Sequence, residues 1–231
     1  MNKFSAITLL ICLLSMPFPG NTVEKLLLTG AEITSDSSNY FFVGAAIPLP
    51  DNTLAHGYVL HLWADFQEYA YVSGATDTNA KVNSISAAIA YHDSGNNYWW
   101  NTKVGAVRSD TKLSPDDPGN KSRGSQTDLK LQIGGERHLS ATIKINGIID
   151  YITDRHSYWA RLRFLTLIDN NLYHGPEIIT QGDPSYDAQQ LGWVISGIAI
   201  QDDSTLGIKA GVRKGDDSTS GYFGVELVVP Y

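Results

Sequence analysis

The segment TDRHSYW, residues 153–159, brings together Asp154, His156 and Ser157, the residue types of a nucleophile, its base and an orienting acid. Hydrolysis needs the base within hydrogen-bond reach of the nucleophile, whereas neighbours on a strand point to opposite faces. His156 and Ser157 therefore converge only if the chain turns between them, and the polar TDRH reads as a turn. A second group, LSPDDPGNKSRG at 113–124, sets Asp116 and Asp117 beside Asn120, Lys121 and Arg123. It lacks the regular ligand positions and distal Glu of a calcium loop. Pro115 and Pro118 with Asp and Asn read as a fixed turn at the rim of a larger structure. His56, His61, His92, His138 and His174 show no zinc-binding spacing. There is no phosphate-binding glycine loop, and Cys12 is the only cysteine. These patterns lead us to expect no cofactor, no metal and no catalytic set, so the chain reads as a non-enzyme.

Two further groups depend on what surrounds them. Arg161, Arg163, Glu177, Lys209, Arg213 and Glu226 lie on strand-like segments and share one face by alternation. In a closed interior, opposite charges pair to offset their desolvation. They could also form a polar surface that holds a sugar chain. Trp63, Tyr69, Tyr71, Trp99 and Trp159 are rings suited to stacking on sugar faces, with Trp100 and Tyr158 beside them, although packing and membrane interfaces use the same rings.

The elements that must position these groups are strands. With 21 Gly, 12 Tyr and 5 Trp and few helix-forming blocks, the chain of 231 residues is expected to be all-β. After residue 24 it breaks into alternating segments bounded by Gly, Asn, Asp, Ser or Pro. They fall at 25–34, 40–49, 57–72, 82–93, 97–108, 126–136, 138–151, 157–168, 171–182, 189–201, 204–214 and 219–229. About twelve antiparallel strands are expected, with ten as the alternative. No composition shift marks a second domain, so 21–231 reads as one unit. A net charge of −7 without a basic face argues against a nucleic-acid partner.

Residues 1–20 read as a secretory signal: Lys3, the apolar run SAITLLICLLSM, then PFPG, with cleavage near Gly20. No later stretch reaches the 18 apolar residues of a spanning helix, so an exported chain crosses a bilayer only as a closed barrel. A soluble β-sandwich alternates too. Segments of membrane-crossing length, rings near their ends and the strand SGYFGVELVVPY favour the barrel. Phe223, Val225, Leu227 and Val229 are then expected to face lipid and Glu226 the lumen. The fold class expected is a single up-and-down transmembrane β-barrel of outer-membrane type.

Several blocks resemble the cellulose biosynthesis protein BcsS family: LSPDDPGNKSRGSQTDLKLQ (113–132), SYWARLR (157–163), GPEIITQGDPSYDAQQLGW (175–193) and LGIKAGVRK (206–214). FFVGAAIPLP and GYVLHLWADFQEYAYV are similar to its first strands. The resemblance implies an outer-membrane barrel acting as a non-enzymatic accessory of cellulose secretion in export, anchoring or assembly of the glucan. Its partners would be outer-membrane lipid and cellulose or other secretion components. A lipid- or glycan-modifying barrel enzyme and a general porin are the alternatives.

Overall fold

The computed structural model describes residues 24–201, 203–215 and 218–231; the expected signal at 1–20 lies outside the described residues. Twelve strands follow one another: β1 (Leu26–Thr34), β2 (Asn39–Pro48), β3 (Gly57–Ser73), β4 (Thr76–Gly95), β5 (Tyr98–Ser114), β6 (Gly124–His138), β7 (Ile143–Ile152), β8 (Ser157–Asp169), β9 (Leu172–Asp183), β10 (Tyr186–Ala199), β11 (Thr205–Gly215) and β12 (Thr219–Pro230). Each pairs antiparallel with its sequence neighbours, and β1 pairs with β12 from Leu26↔Pro230 to Thr34↔Tyr222. That closure removes both free edges, which excludes the sandwich and leaves a closed up-and-down barrel. Both Leu26 and Pro230 stand at one end, called here the terminal end.

Alternation sorts the side chains. Ile33, Ile85, Val104, Ile133, Leu162, Ile178, Leu191, Val212 and Phe223 are exposed on the outside. Phe223, Val225, Leu227 and Val229 share the outward face of β12, and Tyr222 and Glu226 turn inward, where they contact Glu177 and Arg163. An apolar outside around a polar inside is the reverse of a soluble sheet and the arrangement of a barrel in lipid. Rings mark two levels outside. Tyr91 contacts both Tyr58 and Trp100 near the terminal end, and Tyr158 donates to Asp187 at 2.7 Å near the far end. This is the disposition of an interfacial girdle.

The strands are unequal. β1 has 9 residues, close to one tilted bilayer crossing, whereas β3, β4 and β5 have 17, 20 and 17. The excess rises at the far end. There the outward residues Asp77, Asn79, Lys81 and Asn83 are exposed and polar before the apolar face resumes at Ile85. The expected bounds 82–93 and 97–108 fall short here, because alternation of polar against small residues has no apolar half to count. β7, by contrast, begins at Ile143 rather than 138 because Leu139–Thr142 form a turn in which the Ser140 hydroxyl accepts from the backbone of Ile143 at 3.1 Å.

The overhang leans across the mouth. Tyr69 of β3 packs on Tyr186 of β10, nearly opposite in the ring, with centroids 4.8 Å apart. Tyr71, Ala80, Val82 and Ala188 complete that apolar cluster. The 115–123 loop is tied into it: the Asn120 amide donates to the Tyr71 hydroxyl at 2.8 Å, and that hydroxyl donates to Asp117 at 3.0 Å. Ser122 reaches Asp183 at 3.2 Å, and Arg155 reaches Ser109 at 3.0 Å. Opposite walls thus meet, and the far end is capped. LSPDDPGNKSRG is the turn expected at the rim, and it also serves as part of this cap.

Candidate functional site

Inside the barrel, β8, β9, β11, β12 and β1 carry a dense ionic network. Arg163 is its centre: Nε donates to Glu177 at 2.5 Å, and its two terminal nitrogens donate to Glu226 at 3.0 and 2.8 Å. Arg161 donates to the same Glu226 at 3.0 Å and to Asn146 at 3.3 Å. Lys209 lies 2.7 Å from Glu32 and 3.7 Å from Glu177, while Gln190 donates to Glu32 at 2.6 Å. Glu177 is fully buried, so its charge is held by Arg163 and Lys209 rather than by water. Planar guanidinium groups suit this bidentate carboxylate geometry.

Arg161, Arg163, Glu177, Lys209 and Glu226 thus form one network. Arg213 stands apart, toward the cap, bonded to Asp36 at 2.9 Å and to the Tyr186 hydroxyl. In the 35–38 turn, burial pulls the Asp36 carboxyl upward. Hydrogen bonds from Thr34 and Ser38 and the Arg213 charge outweigh it and hold the group at about 2. Glu32 and Asp36 were not among the expected residues. Glu32 had a signal, since it is the one charged residue of β1 and shares the face of Gly30.

A cavity of about 700 Å³ lies between this network and the facing wall. Its ceiling is formed by the cap residues Tyr69, Ser122, Arg155 and Tyr186, and its lining runs to Leu54, His92 and Trp99 near the terminal end. Leu54 and Trp99 also border a second hollow of about 660 Å³ on the terminal end, with Asn52, Asn96 and His138. The facing wall, from β2 to β6, offers Tyr40, Phe42, Trp63, Asp65, Ser86, Lys103 and Gln132. Phe42 and Trp63 are stacked, with centroids 4.6 Å apart and planes at 11°. Gly44 permits this stack, because a Cβ there would overlap the Trp63 ring.

The rings expected as sugar platforms therefore separate. Trp63 and Trp159 face the cavity, and Trp99 lies at its terminal end. Tyr69 and Tyr71 correct the expectation: 7 % and 6 % exposed, they are locked in the cap and offer no free ring face. They are not interfacial either, because both point inward. His156 and Ser157 are not brought together. The His156 ring meets the outward Tyr151 hydroxyl at 2.9 Å, whereas Ser157 lines the cavity. His61 and His92 face each other inside at 3.0 Å, with His92 also against the Leu54 carbonyl at 2.9 Å.

With this geometry in view, the comparisons add a family. Residues 26–230 match that of the cellulose biosynthesis protein BcsS. The chain belongs to the BcsS family. The match spans every strand of the barrel, and the chain therefore has a role in cellulose biosynthesis. Among curated proteins the search finds no match. Solved structures similar to this BcsS-family barrel are distant in sequence. The COG4313 outer membrane channel from Pseudomonas putida F1 has 13 % identity and a TM-score of 0.57, covering 94 % of this chain and 99 % of that one. The β domain of the Bordetella autotransporter BrkA has 12 % identity and a TM-score of 0.50, over 91 % of this chain and all of that one. At such identities the likeness is one of fold, and the fold is that of an outer-membrane barrel.

Proposed function

We propose that this BcsS-family barrel sits in the outer membrane as a non-catalytic accessory of cellulose biosynthesis, anchoring or assembling the glucan rather than conducting it. The observation that carries this reading is the capped, largely self-paired lumen. The wide aqueous porins have about sixteen to eighteen strands, and in this twelve-stranded barrel Tyr69 and Tyr186 meet across the far mouth. The absence of catalysis is supported by the divergence of His156 and Ser157, since a nucleophile whose base lies on the other face of the strand is not activated. Export through an N-terminal signal would deliver the chain to the periplasm, and the terminal end with its hollow would remain on that side.

Deletion of the chain should lower cellulose output, and re-expression with Ser157→Ala should restore it fully. Failure of that variant alone would revive the enzyme reading. In planar bilayers the purified barrel should be silent, and steady ion conductance would turn the reading toward a porin. Carbonate extraction should leave the chain in the membrane fraction, and it should migrate heat-modifiably on gels.

A further inference from the structure

The two walls of the lumen differ in how their polar groups are satisfied, and the difference points into the cavity. On the β2–β6 side, the Lys103 side chain makes no ion pair within 4.0 Å and no hydrogen bond among the described residues, although it lines the cavity. Asp65 likewise makes no ion pair within 4.0 Å among the described residues; the Ser84 hydroxyl bonds it, and the Lys130 and Arg155 charges act on it from farther off. Gln132 and Ser86 face the same space without a hydrogen-bond partner among the described residues. Beside them stands the Phe42–Trp63 stack. Groups of this kind cost free energy in a closed lumen unless water or a ligand meets them.

We infer that this cavity binds the end of a neutral glucan chain, entering from the terminal end of the barrel and stopping at the Tyr69–Tyr186 ceiling. The inference rests on the cellulose reading above and names the site it would use. Four features select this class of ligand. An aromatic patch offers apolar area to the flat faces of pyranose rings. Donors and acceptors of both kinds stand beside that patch and match the hydroxyl edge of a sugar. The unpaired charges, one anionic at Asp65 and one cationic at Lys103, cancel, so no surplus of either sign favours an ionic polymer. An acyl chain would leave both charges desolvated and unmet. The cavity volume falls in the range of ligand sites, roughly 300 to 1,000 Å³. Because the far mouth is capped, the polymer is held by an end and does not thread through.

The test uses the full chain refolded in detergent micelles, with tryptophan fluorescence titrated by cellopentaose, a β-linked glucose pentamer, and by its α-linked isomer maltopentaose. Saturable quenching by cellopentaose, at least about tenfold tighter than for maltopentaose, is expected. Lys103→Met and Gln132→Ala should each weaken it about tenfold, and Ser86→Trp should abolish it by filling the cavity. Trp193→Phe, on the outer face and away from the cavity lining, should leave it unchanged. Each variant is checked for folding by its heat-modifiable mobility, so that a lost site is not confused with a lost barrel. No saturable quenching by the folded protein overturns the inference, as does equal binding in Lys103→Met and Ser86→Trp. Competition by a phospholipid but not by cellopentaose would overturn it in favour of an acyl ligand. In cells, normal cellulose output without the chain would defeat the accessory role itself. Output that needs the chain but tolerates Ser86→Trp would defeat only the cavity.

Discussion

From β8 round to β1, Arg161, Arg163, Lys209, Glu32, Glu177 and Glu226 meet one another at salt-bridge distance; from β2 to β6, Asp65 and Lys103 stand in the same lumen and do not. Both walls are built by the same strand alternation, so the difference is not one of fold. It lies in what each wall does with the cost of burying charge. The first wall answers it internally and becomes a rigid brace reaching from β8 to β12. The second pairs Lys130 with Asp150 of β7 at 3.0 Å and leaves Asp65 and Lys103 to whatever occupies the cavity. A brace and a binding surface facing each other make a container, which is a different object from a pore.

The largest expected effect is on the brace. Arg163→Met leaves Glu177 and Glu226 without their principal partner, and breaking a buried pair from one side costs about 3–5 kcal/mol. The urea midpoint of the refolded barrel should fall accordingly, and Arg163→Met with Glu177→Gln should recover part of the loss. A drop well below about 1 kcal/mol would mean that water reaches these groups and the brace is ordinary surface. Lys103→Met gives the matched experiment on the other wall. It removes a charge with no anion within 4.0 Å among the described residues, so stability should stay the same or rise, while cellopentaose binding weakens. A stability loss as large as that of Arg163→Met would make the two walls alike and end the contrast.

The cap tests whether the container is closed. Tyr71→Phe removes the hydroxyl that joins Asp117 and Asn120, and limited proteolysis in 115–123 should become several-fold faster without a change in bilayer conductance. Tyr69→Ala with Tyr186→Ala removes the cross-mouth contact itself, and conductance should then appear. Silence in the double variant would place the barrier elsewhere along the lumen.

How much of this was legible beforehand depended on the local pattern. Glu226 between Val225 and Leu227, with Phe223 and Val229 beyond, declares its face, because a strand has a period of two and lipid accepts only one half of the alternation. The same rule put Arg161, Arg163, Glu177, Lys209 and Arg213 inward. It cannot say which inward groups meet. Arg163 and Glu226 are 63 residues apart, and their contact depends on the stagger with which the ring closes. Tyr69 and Tyr71 show the limit most plainly. They looked like interfacial rings near a segment end, but the segment ran on above the membrane and folded inward over the mouth. Above the bilayer the outer face of β4 is polar, so alternation loses its contrast and the β4 and β5 parts of the overhang read as turn.

The smallest effect sharpens the comparison at its edge, where Arg213 leaves the brace and joins the cap. Its partner Asp36 has its carboxyl held at about 2, below the ordinary 3.8. A depressed carboxyl stabilises the fold fully above its unfolded pKa and loses that contribution as pH falls through the folded value. Asp36→Asn should therefore cost something under about 1 kcal/mol at neutral pH, since the group is partly hydrated. The gap from the native chain should hold down to about pH 4 and close by about pH 2. A gap that widened on acidification would reverse the sign and show that the turn is held by something other than this ion pair. A gap absent at neutral pH would assign Arg213 to the Tyr186 hydroxyl alone, making the cap independent of charge while the brace below it depends on charge throughout.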